Sequence, residues 1–280
     1  MHLEKITQPN QVTVIGVPFD KNASFLQGPA LAPQRIRETL HNTAANMWTE
    51  KMADLGSSTG WVDVGDVHLS GNMVHDVETA VTQLLAKQAK PLTLGGDHSI
   101  TYPIIKAMAR RYPNLTILQI DAHPDLYDEL DGSRTSHACP FARIMENGLA
   151  ARLVQIGIRT LNAHQKAQAE QFCVEIIPMA SWSLDKLPTL TPPLYLTLDL
   201  DGIDPAFAPG VSHHEPGGFT SRQVLEIIHA LPPLVGADIV EFNPHRDPVG
   251  ITAALAAKLL KELIGHMLIG HMLIGHMQAP

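Results

Sequence analysis

Cysteine is nearly missing from this 280-residue sequence, which holds only Cys139 and Cys173. Two thiols without C-x-x-C spacing build neither a disulfide framework nor a zinc ribbon, and they suit a reducing compartment. Long apolar runs are missing too, none approaching the ~18 residues of a membrane span. The opening MHLEKITQPN has no apolar signal core, so a cytoplasmic protein without membrane contact is expected. Positive charge is short as well: 20 Lys and Arg stand against 28 Asp and Glu, a formal charge of −8. No Lys/Arg cluster could neutralise a row of phosphates, which argues against nucleic acid as a partner and favours a small cationic molecule.

Hydrophobic residues are plentiful, at 45% of the chain. Short β-branched runs at 11–17, 61–67, 91–96, 115–121, 153–159, 173–178, 193–201 and 236–242 predict strands. Amphipathic stretches at 32–40, 74–88, 100–112, 139–146, 164–172, 221–229 and 252–263 predict helices, mostly set between them. Such alternation implies an α/β domain of about eight strands in a parallel sheet covered on both faces. The pattern alone fits an open three-layer sheet or a closed (β/α)₈ barrel. No Gly-, Ser- or charge-rich linker divides the chain, so one domain is expected over 1–262. Residues 263–280 begin with three copies of LIGHM. Five matches neither the helical nor the strand period, so a tail is expected there, with His266, His271 and His276 at most adventitious metal ligands.

Parallel sheets place their ligand sites beyond the carboxyl ends of the strands. Four predicted strands end in polar groups: LGGDHS carries His98; IDAHPD carries Asp121, His123 and Asp125; LDLDGIDP carries Asp199, Asp201 and Asp204; VEFNPHRD carries Glu241. Alternate residues leave a strand on one side, so Asp121, His123 and Asp125 could share a target, as could Asp199 and Asp201. Taken alone, His98 after Gly-Gly reads as a turn residue, and Asp204 before Pro205 as a turn or cap. Together the clusters need a cation, because so many converging carboxylates repel one another. An oxygen-rich donor set with two imidazoles and no thiol suits manganese better than structural zinc, and its size suits two ions.

The segments GGDHS, DAHPD and DLDGIDPAFAPG resemble those of the ureohydrolase family, which contains arginases and agmatinases. SHACPFARIMENG, QIGIRTLN, DPAFAPGVSHHEPGGFT and GADIVEFNPHRD are similar to the plant arginase branch. The resemblance implies a three-layer α/β fold around a central, mostly parallel eight-stranded sheet. It implies that His98, Asp121, Asp125 and Asp199 hold one manganese, and that Asp121, His123, Asp199 and Asp201 hold the other. Asp125 or Asp201 would also orient the attacking hydroxide. Glu241 would hold a guanidinium, and His137 would protonate the departing amine. A homo-trimer or homo-hexamer is implied as well.

The reaction expected from this resemblance is hydrolysis of a guanidino group to urea and an amine. Arginine is the first substrate, with agmatine and other guanidino acids as alternatives. Tyr127 stands where animal-type arginases carry an Asn, and SHHEPGG departs from the TGTPE or TGTPV forms. Tyr127, His213 and His214 are therefore candidates to line the pocket. Readings from other classes are a metal-dependent deacetylase, a phosphoesterase, or a non-catalytic metal-binding member of the family. The first expects fewer acidic ligands, the second expects basic groups near the metals, and the third expects lost ligands.

Overall fold

The computed structural model describes residues 1–276, with side chains described as far as Leu268. Eight strands form: β1 (Val12–Gly16), β2 (Trp61–Asp66), β3 (Lys90–Leu94), β4 (Thr116–Ile120), β5 (Arg152–Ile158), β6 (Glu175–Pro178), β7 (Leu194–Asp199) and β8 (Leu234–Val240). Seven α-helices accompany them: α1 (Ala32–Leu40), α2 (Met73–Ala86), α3 (Thr101–Arg111), α4 (Pro140–Glu146), α5 (Ala163–Gln171), α6 (Ser221–Ala230) and α7 (Ile251–His276). The strands join one sheet in the order β2-β1-β3-β8-β7-β4-β5-β6, and every pairing is parallel. Strands β2 and β6 are free edges, so the sheet is open and the barrel alternative fails.

All residues of β1, β4 and β7 are buried, which explains their unbroken apolar runs. Alternation assigns each residue to a face. Val14, Leu92, Leu118 and Leu196 pack with Ile36 of α1, Ile228 of α6 and Leu259 of α7. Ile15, Ile117 and Tyr195 pack on the opposite face with Val81 of α2, Ile104 of α3 and Phe141 of α4. This gives three layers. The chain runs from β3 through α3 to β4, which lies beyond β8 and β7 in the sheet. Such a skip opens a crevice at the carboxyl ends of the central strands.

The expected tail begins inside a helix instead. α7 runs through the proposed boundary, and Leu263, Ile264 and Met267 are fully buried in the core. Together with Leu259 and Leu260 they continue one helical stripe, so the first LIGHM copy is in phase with the preceding helix. Glu262, at the boundary, is itself anchored: its carboxylate accepts from Glu50 N–H (2.8 Å), Lys258 Nζ (2.6 Å) and His229 Nε2 (2.9 Å). His266 is half-buried, with Nε2 3.2 Å from the Pro232 carbonyl. The side chains of His271 and His276 lie outside the described residues.

A chain ending at Glu262 would lose the burial of Leu263, Ile264 and Met267, roughly 5–9 kcal/mol at about 1.5–3 kcal/mol per side chain. That compares with a total stability of about 5–15 kcal/mol. The expected outcome in a thermal melt is loss of the cooperative transition. Identical melting of the Glu262-terminated chain would show the segment to be a dispensable tail.

Candidate metal centre and substrate cavity

The strand register levels the carboxylates. Ile120 of β4 pairs with Leu198 of β7, and Leu198 pairs with Ile239 of β8, so Asp121 and Asp199 leave adjacent strands at the same height. His98 follows β3 and Glu241 follows β8, which places the four polar ends on four neighbouring central strands. Gly96 lets the loop after β1 pass close: a Cβ there would lie 1.7 Å from the Phe19 carbonyl oxygen. Asp125 and Glu241 adopt left-handed backbone conformations, with φ of 49° and 64°. Non-glycine residues pay for that geometry, and it concentrates at functional sites.

Two donor groups result. His98, Asp121, Asp125 and Asp199 place ligand atoms within 4.8 Å of one another, and so do Asp121, His123 and Asp201. Asp121 belongs to both groups. Asp199 belongs to the first, where its Oδ2 is 3.1 Å from His98 Nδ1, while its Oδ1 accepts from the Asp201 N–H at 2.8 Å. Asp204 stands apart and closes a turn, accepting from the N–H groups of Ala206, Gly217 and Gly218.

Beneath the donors runs a polar row that the sequence reading missed. Thr93, Asp238, Thr197, Gln119 and Gln155 are paired in register across β3, β8, β7, β4 and β5, and all are buried. The Thr197 hydroxyl donates to Asp238 Oδ1 (2.6 Å), so its oxygen accepts from His98 Nε2–H (2.9 Å). Thr101 and Tyr195 donate to Asp238 Oδ2, both at 2.9 Å. Gln155 donates to Gln119, and Gln119 donates to Asp121 Oδ2, each at 2.6 Å. Thr197 thus fixes the tautomer of His98 and Gln119 the orientation of Asp121, as carboxylate and amide partners do behind metal ligands. The signal of the row was one polar residue inside each of five apolar strands.

The residues fit a hard cation. Among the described residues His98 Nδ1 is buried without a hydrogen-bond partner, although carboxylate oxygens of Asp121, Asp125 and Asp199 lie 3.0–3.2 Å away. With Nε2 committed to Thr197, this nitrogen is the atom left to bind a cation. Burial pushes Asp199 well above the ordinary carboxylate range, and Asp201 and Asp121 add like charge. Burial raises Asp201 as well, and burial with Asp121 raises Asp125 to about 6. Burial opposes charge on Asp121 too, but the imidazoles of His123 and His98 hold it below the usual range. Burial disfavours a charged His98, yet Asp121, Asp125 and Asp199 outweigh it and hold a proton there. A bound cation is the compensation that such a cluster calls for.

A cavity of about 270 Å³ opens onto these donors. His123, Asp125, Asp199, Asp201 and Glu241 line it together with Ser24, Tyr127, His137, Thr160, His213 and Glu215. Glu241 is 3% exposed and marks the deep end, while Ser24 is exposed and marks the mouth. Glu241 Oε1 accepts from the His98 N–H (2.8 Å) and lies 2.8 Å from His137 Nδ1, and no hydrogen bond among the described residues uses Oε2. Burial lowers the His137 pKa, but Glu241, Asp125 and Asp97 outweigh this and raise it to about 9. The Tyr127 hydroxyl accepts from Asn162 Nδ2 at 2.5 Å, and its ring stacks on His164. The His213 ring centroid is 5.3 Å from that of His137. His214 is exposed and bonded to the Pro209 carbonyl, away from the cavity lining. Sequence reasoning also passed over Ser24, whose loop carries no motif.

Comparison with known proteins agrees with this geometry. A family model described as Arginase family matches residues 10–265. Arginase 1, mitochondrial, of Arabidopsis thaliana is 44% identical over 271 residues, covering 90% of this chain and 79% of that protein. Arginase 2, chloroplastic/mitochondrial, of the same plant is 41% identical, covering 91% and 80%. The structure of an arginase from Medicago truncatula superposes with a TM-score of 0.88 at 38% identity, covering 95% of this chain and 90% of that one. Those names overturn the expectation of a cytoplasmic protein, since both Arabidopsis relatives are organellar. Two unpaired thiols indicate a reducing environment without saying which one. Strand-end donors, an open eight-stranded parallel sheet and a match across almost the whole length lead to one conclusion: the chain belongs to the arginase family.

Proposed function

We propose that this enzyme hydrolyses L-arginine to L-ornithine and urea with two manganese ions per chain. The observation that carries the reading is the convergence of six carboxylate and imidazole residues, four of which line one cavity together with a buried glutamate whose Oε2 is uncommitted among the described residues. His98, Asp121, Asp125 and Asp199 would hold one ion, and Asp121, His123, Asp199 and Asp201 the other. When bound, the metal pair supplies a hydroxide nucleophile at neutral pH. Glu241 offers Oε2 to the guanidinium N–H groups and so orients the reacting carbon. His137, protonated against Glu241, provides the acid for the departing amine nitrogen. Tyr127 and His213 line the path of the aliphatic chain. The resemblance implies assembly into a homo-trimer or homo-hexamer, for which light scattering of active samples is the check.

Agmatine is the second reading. No Lys or Arg is among the cavity-lining residues, so an α-carboxylate meets no strong cation there, and agmatine has no such group. The same lack of basic groups disfavours phosphate esters.

Metal binding should weaken as pH falls. Asp199, Asp201 and His98 are all held protonated above their ordinary values, so a cation must displace protons that are bound more fully at low pH. Calorimetric titration of stripped protein in buffers of different ionisation enthalpy should show net proton release. A pH-independent affinity without proton release would contradict the donor assignment.

Glu241→Gln should keep the metals while kcat/KM for arginine falls about 10²-fold or more, roughly 3 kcal/mol, because a charged contact to the guanidinium is lost. His137→Ala should likewise keep its metals and lose turnover by roughly 10²–10⁴-fold, with partial rescue by added imidazole. Normal turnover of guanidino substrates in both variants would remove the proposed pose.

A further inference from the structure

Both ring nitrogens of His137 are engaged. Nδ1 lies 2.8 Å from Glu241 Oε1, and Nε2 lies 2.8 Å from Ser24 Oγ. A proton leaving for the departing amine must therefore come from Nε2, because Nδ1–H is tied to a buried carboxylate. Ser24 occupies that exit.

Ser24 is held there by a stapled loop. Asp20 Oδ2 accepts from the N–H groups of Gly28 (2.7 Å) and Ala30 (3.2 Å), closing the loop on itself. Asn22 ties it to the segment after β3, its N–H donating to Asp97 Oδ2 and its amide to Ser99 Oγ, both at 3.0 Å. The Asn22 carbonyl in turn accepts from the His137 N–H at 3.0 Å. The loop and His137 are thus positioned by one another as well as through the Ser24 contact.

Resting on the ureohydrolase reading above, we infer that Ser24 relays the proton from His137 to the leaving nitrogen. Glu241 holds the guanidinium at the buried end, so the aliphatic chain runs outward and the leaving nitrogen lies on the mouth side of the reacting carbon. Ser24 is exposed at that mouth and lines the same cavity. In the step, the Nε2–H bond breaks and its proton goes to Ser24 Oγ. The original Oγ–H bond breaks at the same time, and its proton forms the new N–H bond as the C–N bond cleaves. The hydroxyl ends with one proton, as it began, and the imidazolium becomes neutral imidazole.

The test is single-turnover urea release by manganese-loaded enzyme, followed across mixtures of H₂O and D₂O. The intact enzyme should give a curved dependence on deuterium fraction, reporting two protons in flight. Ser24→Ala should slow the step roughly tenfold or more, with KM within about twofold, two manganese ions retained and a linear deuterium dependence. Ser24→Thr, which restores the hydroxyl, should recover both rate and curvature. Full rate or unchanged curvature in Ser24→Ala overturns the relay, as does loss of manganese in that variant, which would mark a structural role. If His137→Ala is inactive while Ser24→Ala is fully active, the relay alone fails. Absence of urea from any guanidino substrate with the intact enzyme overturns the underlying reading and the relay with it.

Discussion

Like charges forced together in a dry place are the constraint on which this molecule depends. Asp121, Asp125, Asp199 and Asp201 are each at most 6% exposed, and carboxylates so buried and so close cannot all ionise without compensation. Parallel pairing creates the problem by levelling Asp121 with Asp199. The same rigid sheet also turns it into a use, because it fixes oxygen donors at a separation that thermal motion in a loop would blur. Everything nearby serves that arrangement: the polar row beneath, the left-handed turns at Asp125 and Glu241, and Gly96, which admits the loop after β1.

The polar row links fold to chemistry. A buried aspartate such as Asp238 is costly unless its oxygens are satisfied, and three hydroxyl donors satisfy it here. Its return is directional: Thr197 can accept from His98 because Asp238 takes the threonine proton. The histidine nitrogen facing the carboxylates is thereby left as a donor atom. Structure and function thus share the hydrogen bonds from Asp238 through Thr197 to His98.

Much of this was legible in the sequence, for identifiable reasons. The central strands follow from their apolar runs, since a parallel sheet buried on both faces leaves such runs no other explanation, and α1, α3 and α6 follow from an apolar stripe at helical period. The donor residues were visible because a charged group at the end of such a run has few structural reasons to be there. Thr93, Gln119, Gln155, Thr197 and Asp238 were not visible as a set, because what unites them is strand register, which no local pattern encodes. Ser24 was hidden for a similar reason, since its partner is 113 residues away. The C-terminal boundary went astray because LIGHM was read by its own period of five. In the structure, Leu263, Ile264 and Met267 answer to the phase set by Leu259 and Leu260.

Whether the convergent carboxylates hold two cations, as proposed, is tested most directly by anomalous diffraction at the manganese edge from manganese-loaded crystals. Two peaks per chain are expected, one among His98, Asp121, Asp125 and Asp199 and the other among Asp121, His123 and Asp201. A single peak, or peaks away from these residues, would contradict the proposal.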